Sequence, residues 1–151
     1  MSYTTNSNPY ASQVPNRIQV DAQKSTTIAI PIAGATVNTA AIDTEMGSTF
    51  PALELVDLVA LVPAANANTN NFTNLTLQLQ HSSVNTSANF VNVPGTGPVY
   101  INSANAATFP ATTVVFPQGD GLLQFVRVQA TMGANGVNSA NASNLVFQLQ
   151  F

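Results

Sequence analysis

The sequence predicts an all-β chain: an antiparallel β-sandwich, read as a jelly roll of about eight strands, behind an extended N-terminal arm. Three observations carry this. Short segments alternate apolar and polar residues with a period of two, most clearly Thr73 to Ser82. Between them lie clusters of Asn, Ser, Gly and Pro, whose side chains favour turns: PAANANTNN, HSSVNTSAN, VPGTGP, NSANAATFP, PQGDG and MGANGVNSANASN. Helix signals are poor, because β-branched residues dominate, prolines recur and Glu/Lys pairs at helical spacing are missing.

Residues 1 to 25 lack a long periodic apolar pattern and contain Pro9 and Pro15, which remove backbone donors and favour extended conformations. They read as the arm or as a frayed terminus. The sandwich then covers residues 26 to 151. Thr26 to Ile32 sets Thr26, Ile28, Ile30 and Ile32 against Thr27, Ala29 and Pro31. Leu53 to Val62 is a nearly continuous apolar run, interrupted by Glu54 and Asp57. It suits a strand covered on both faces, within the monomer or by a neighbouring subunit, although Leu55, Val56, Val59 and Val62 also fit a short helix. In Thr73 to Ser82, Leu75, Leu77 and Leu79 point inward, and Thr76, Gln78 and Gln80 outward. Phe90 to Val93, Val99 to Ile101 and Thr112 to Phe116 are shorter strands. Leu122 to Thr131 places Val126, Val128 and Ala130 on one face, with Arg127 and Gln129 on the other. Asn144 to Phe151 closes the chain with Leu145, Phe147, Leu149 and Phe151 on one side.

Composition narrows the function. A chain of 151 residues, 45% hydrophobic, is one domain, able to remove about 70% of its unfolded surface from water. Three cations (Arg17, Lys24, Arg127) against six acids give a net charge of −3, which cannot make the basic face that nucleic-acid phosphates require. There is no Cys, so disulfide scaffolds, thiolate metal sites and thiol chemistry are excluded. Only 6% of the residues are charged, and polarity comes from Asn, Gln, Thr and Ser. Such a surface supplies little like-charge repulsion, and covering an amide costs less than covering an ion. This favours a subunit of an assembly, with a small secreted domain as the alternative. Met1 to Pro15 has no cation followed by an apolar run, so no secretory signal peptide is expected there. Leu53 to Ala65 is too short and too interrupted to span a bilayer.

Catalytic constellations are sparse. His81 is the only histidine, and a lone imidazole cannot build a multi-histidine metal site. It is expected at a strand end in a structural role, and Ser82 and Ser83 beside it do not make the oriented nucleophile–base pair that a triad needs. Asp43 with Glu45, and Glu54 with Asp57, are the only local carboxylate pairs, and nothing in their spacing sets them across a cleft. QGDG around Asp120 reads as a tight turn. N-x-[ST] triplets occur at Asn71, Asn74, Asn85 and Asn141, with glycosylation not expected. Tyr3, Tyr10 and Arg17 in the arm are the candidate partner contacts, because aromatic residues and Arg bury large area at modest entropic cost. Arg127 projects into solvent or, if covered, needs a partner such as Asp57. No catalytic residue, cofactor or metal is expected.

Taken in order, several elements resemble the small jelly-roll capsid cement, or decoration, proteins of tailed bacteriophages. They are the strand Thr76-Leu-Gln-Leu-Gln-His-Ser82, a short following strand with Phe90 and Val93, and the turn Phe116-Pro-Gln-Gly119. The strand Leu123-Gln-Phe-Val-Arg-Val128, a glycine-containing loop and a terminal apolar strand complete the set. The likeness runs from about Thr26 to Phe151; the arm before Asp21 is longer than the family pattern. It implies a protein made in the host cytoplasm that sits on the outside of the phage shell as a homotrimer. Its partner there would be the major capsid protein, at junctions between subunits, with no nucleic acid, membrane or catalysis involved. A β-sandwich binding module for host attachment or carbohydrate is the second reading.

Overall fold

The computed structural model describes residues 20–44, 57–66, 74–103, 108–117, 121–134 and 143–150, with only the backbone described at 20–23, 65–66 and 108. Among them are twelve strands: β1 (Val20–Ala29), β2 (Thr36–Asn38), β3 (Ile42–Asp43), β4 (Asp57–Val62), β5 (Ala65–Asn66), β6 (Asn74–Ser82), β7 (Val91–Asn92), β8 (Val99–Asn102), β9 (Thr108–Phe109), β10 (Thr112–Phe116), β11 (Phe125–Met132) and β12 (Asn144–Gln150). A short 3₁₀ turn covers Ser87–Asn89. The fold is all-β and sandwich-like, as the alternation predicts.

One sheet runs β1-β12-β4-β10, the other β2-β11-β6-β7, with β3 also on β11 and β8 also on β6. Every pairing is antiparallel. The first long strand pairs with the last (β1 with β12), and β2 pairs with the next-to-last, β11. Further in, β4 pairs with β10, and β6 with β7 and β8. This is one long hairpin folded over on itself into two sheets, an order consistent with a jelly roll. β5 and β9 make a separate two-stranded ribbon.

The core lies between the sheets. Leu58, Ala60 and Val62 of β4 and Leu145, Phe147 and Leu149 of β12 face Leu75, Leu77 and Leu79 of β6 and Val126, Val128 and Ala130 of β11, all buried. Successive strand residues point to opposite faces, so these alternating sets meet. Phe116 meets Phe147 edge to face, with centroids 6.4 Å apart and planes at 81°.

Several expectations need correcting. The first strand includes residues before Thr26: β1 covers Val20–Ala29 and pairs with the C-terminal strand through an irregular stretch between Val20 and Ser25. The polar run Asp21-Ala-Gln-Lys24 carries no alternation, so its pairing is set by β12 and not by local pattern. At its other end β1 stops at Ala29; Ile30 reaches the core, whereas Ile32 is exposed. The Leu53 to Val62 run is a strand from Asp57, and residues 53–56 lie outside the described ones. Val59 points away from the core cluster and is still buried, so that strand is covered on both faces there within one chain. β2, β3, β5 and β9 were not expected; they are two or three residues long, too short for periodicity. In the loop before β2, Gly34 takes φ +72, and its N–H donates to Gly133 O at 3.1 Å. Gly121 takes φ +77, and the other residues of QGDG lie outside the described ones.

Candidate functional site: the outer face of the six-stranded sheet

The outward side chains of β2, β11, β6 and β8 form cross-strand rows of polar groups, neutral except for Arg127. Register places Thr131 of β11 opposite Thr36 and Thr76, with Tyr100 beyond Thr76. The Thr36 and Thr131 hydroxyls lie 2.9 Å apart and share a hydrogen bond. In the next row Gln129 stands opposite Asn38 and Gln78, and its Nε2 donates to Asn38 Oδ1 at 3.3 Å. The third row joins Arg127, Gln80 and Asn92.

Gln78 and Gln80 point outward as expected, but they are buried instead of wet. The segment from Val84 to Pro98 folds back over them, anchored where Val93 N–H donates to Leu79 O at 3.0 Å. Covering an amide requires partners for it. Gln78 Nε2 donates to Leu79 O (3.0 Å) and Thr96 Oγ1 (3.5 Å), and Gln80 Nε2 to Asn92 Oδ1 (3.1 Å). Thr96 Oγ1 in turn donates to Val93 O at 2.9 Å.

Arg127 is at the centre of this covered zone and only 8% exposed, so its solvent-facing reading is overturned. Its Nε donates to Gln80 Oε1 at 2.9 Å, Nη1 to Ser87 Oγ at 3.0 Å and Nη2 to Ser87 O at 3.4 Å. The guanidinium stacks on the Phe90 ring, 4.2 Å from its centroid. The proposed partner Asp57 is exposed and lies in the other sheet. Among the described residues, then, Arg127 is satisfied by neutral acceptors and a ring. Burial lowers its pKa, with the charge retained at neutral pH because guanidinium deprotonates only in strong base. The planar fork spans two elements at once, which ties the covering segment to β6.

His81 ends β6 on the Leu77–Leu79 side, buried, and its Nδ1 accepts Leu123 N–H at 3.3 Å. Burial holds its pKa below the ordinary imidazole value. Ser82 points to the other face and its Oγ accepts Val84 N–H at 3.2 Å. The two side chains diverge, so they make no nucleophile–base pair. Asp43 Oδ2 accepts Gln124 Nε2 at 3.2 Å, and Lys24 Nζ donates to Asp43 O at 2.6 Å. No group of three or more His, Asp or Glu residues converges as a metal site among the described residues.

Tyr3, Tyr10 and Arg17 lie outside the described residues, as do Glu45, Glu54, Asp120, Asn71, Asn141 and Phe151. Of the remaining triplets, Asn74 opens β6 and Asn85 sits in an exposed turn. Sequence reasoning missed Tyr100, which is 60% exposed at the end of the threonine row. Its signal was present: Val99-Tyr-Ile101 alternates, and Ile101 is the core residue.

The described surface therefore offers a neutral face of hydroxyls and amides with one projecting aromatic ring, suited to contact and lacking an arranged reactive group. No helix among the described residues is long and apolar enough to cross a membrane. No protein-family model, curated protein or solved structure matches this chain.

Proposed function

We propose that this chain is a structural virion protein: a cement, or decoration, protein that binds the outside of a phage shell at junctions of the major capsid subunits and stabilises it. The observation that carries the reading is the outer face of the six-stranded sheet, where the uncovered rows, Thr36-Thr131-Thr76 and Asn38-Gln129, are uncharged. A face of amides and hydroxyls can be covered at low desolvation cost if its hydrogen bonds are matched. The resemblance of its order of elements to that of the cement family adds to it, and so does a whole-chain charged fraction of only 6%.

The mechanism is linkage. A protein that binds the assembled shell and not its dissociated subunits stabilises the shell by its binding free energy, summed over many copies. Self-association into trimers raises the effective concentration of each contact. No bond is made or broken. The test is to add the purified full chain to mature shells stripped of decoration. Saturable binding at a fixed number of copies, with a higher temperature of shell disassembly, is the expected result; absence of binding overturns it.

A second reading is favoured by Tyr100 alone. An exposed ring beside Thr76, with Thr131 one strand beyond, is the arrangement on which a sugar could stack while hydroxyls bond its edge. Glycan-array binding that is lost in Tyr100→Ala, together with no affinity for shells, reverses the ranking.

A further inference from the structure

β10 (Thr112–Phe116) is the outermost strand of the four-stranded sheet. β4 pairs with one edge along all five residues, without a register shift. Among the described residues no backbone hydrogen bond satisfies the other edge. Free edges are normally blunted by a charge, an internal proline or a bulge. β10 has none of these. Its sequence is Thr-Thr-Val-Val-Phe, and Pro110 and Pro117 stand outside it, so every residue of the strand keeps its N–H.

We propose that two copies of this chain join edge to edge through β10, antiparallel about a two-fold axis at Val114, so that their four-stranded sheets continue as one. A two-fold contact is self-complementary: each side chain meets a residue of the same strand, and any charge would meet its like. An uncharged strand is the kind that can meet itself. Pairing all five residues of both strands fixes the axis at the central one.

The alternation along β10 then decides what touches. Val114 and Phe116 point into the core, while Thr113 is exposed and Val115 is 55% exposed on the outer face. In this register Val115 lies opposite Thr113 of the partner subunit, a β-branched pair of the type that stabilises antiparallel neighbours. Within one copy Thr113 lies beside Leu61, and Val115 beside the buried Val59. The joint therefore continues the Thr113–Leu61 and Val115–Val59 rows of each copy, all uncharged, into the other copy. An open groove lined by Leu61, Thr112, Thr113 and Val146 borders the first residues of β10 itself. The nearest acid on β4, Asp57, lies one residue beyond the paired stretch, which ends at Leu58 opposite Phe116. This contact is separate from the threefold association implied by the family resemblance, and it does not depend on shell binding.

The register makes the test specific. Thr113→Lys with Val115→Lys sets lysine directly against lysine across the seam. Thr113→Glu with Val115→Lys sets glutamate against lysine at the same two places. Both sites are exposed, so the fold tolerates either pair. Sedimentation equilibrium of the three full-length proteins at matched concentration is the measurement. Wild type and the Glu/Lys variant are expected to show at least twice the mass of the Lys/Lys variant, with slower amide exchange in β10. Equal masses for all three, or a Glu/Lys variant no heavier than Lys/Lys, would overturn the proposal.

Discussion

Arg127 and Gln80 face each other across β11 and β6, with the guanidinium Nε 2.9 Å from the amide Oε1. The pair is buried, and the same guanidinium reaches Ser87 and the Phe90 ring. Arg127 is thus the clamp that holds the covering segment on the sheet. Its removal leaves Gln80 Oε1 buried and unsatisfied, whereas the acceptors of the exposed Ser87 turn to water. Arg127→Ala is expected to destabilise the chain by about 3 kcal/mol, combining an unpaired buried acceptor with the lost ring contact. Arg127→Lys keeps the charge but loses the fork, and falls in between. Urea unfolding followed by circular dichroism measures both; a change under about 0.5 kcal/mol for the alanine variant, as at an ordinary surface site, contradicts the clamp.

His81 makes stability depend on pH. Burial lowers its folded-state pKa, and Nδ1 is held as an acceptor by Leu123 N–H. The unfolded chain, near 6.5, therefore binds a proton before the folded one does. The stabilisation is complete above pH 6.5 and is lost as pH falls below it through the folded value. Urea midpoints measured between pH 7 and pH 5 are expected to fall for wild type, and to fall less for His81→Asn.

Phe147 and Phe116 join β12 to β10 through β4 in the middle of the core. Phe147→Ala leaves a cavity in a site with no exposure, with an expected cost of about 4 kcal/mol. Phe147→Leu retains most of the volume and is expected to cost less than half as much. Chemical denaturation of the two variants checks the ordering.

The described span of β1, Val20–Ala29, defines two N-terminal cuts to compare. Deleting residues 1–19 removes none of the described β1–β12 pairs, and the sandwich is expected to melt at the same temperature within a few degrees. Deleting residues 1–25 removes the Val20↔Gln150 and Ser25↔Gln148 pairings and lowers the melting temperature further. On the proposed function, the shorter deletion weakens shell binding because Tyr3, Tyr10 and Arg17 go with it. Unchanged affinity removes those three residues from the binding surface.

By itself the amino-acid order determined the all-β class, the inward leucines of β6, the inward set of β11 and β12, and the limits of β10. In each of these, an apolar–polar period of two runs long enough to choose a face. It also determined the scarcity of charge, and with it the kind of contact this surface can make. Only the tertiary structure decided what the outward residues do. Gln78 and Gln80 read as outward, and Arg127 stayed open between solvent and cover, because periodicity reports a direction and not a cover. The cover is a segment whose own pattern is turn-like, and it is held by hydrogen bonds between residues far apart in sequence. The first turns of β1, and the short β2, β3, β5 and β9, were illegible for the same reason. Their conformation comes from the strand beside them, through backbone hydrogen bonds that any side-chain sequence can make.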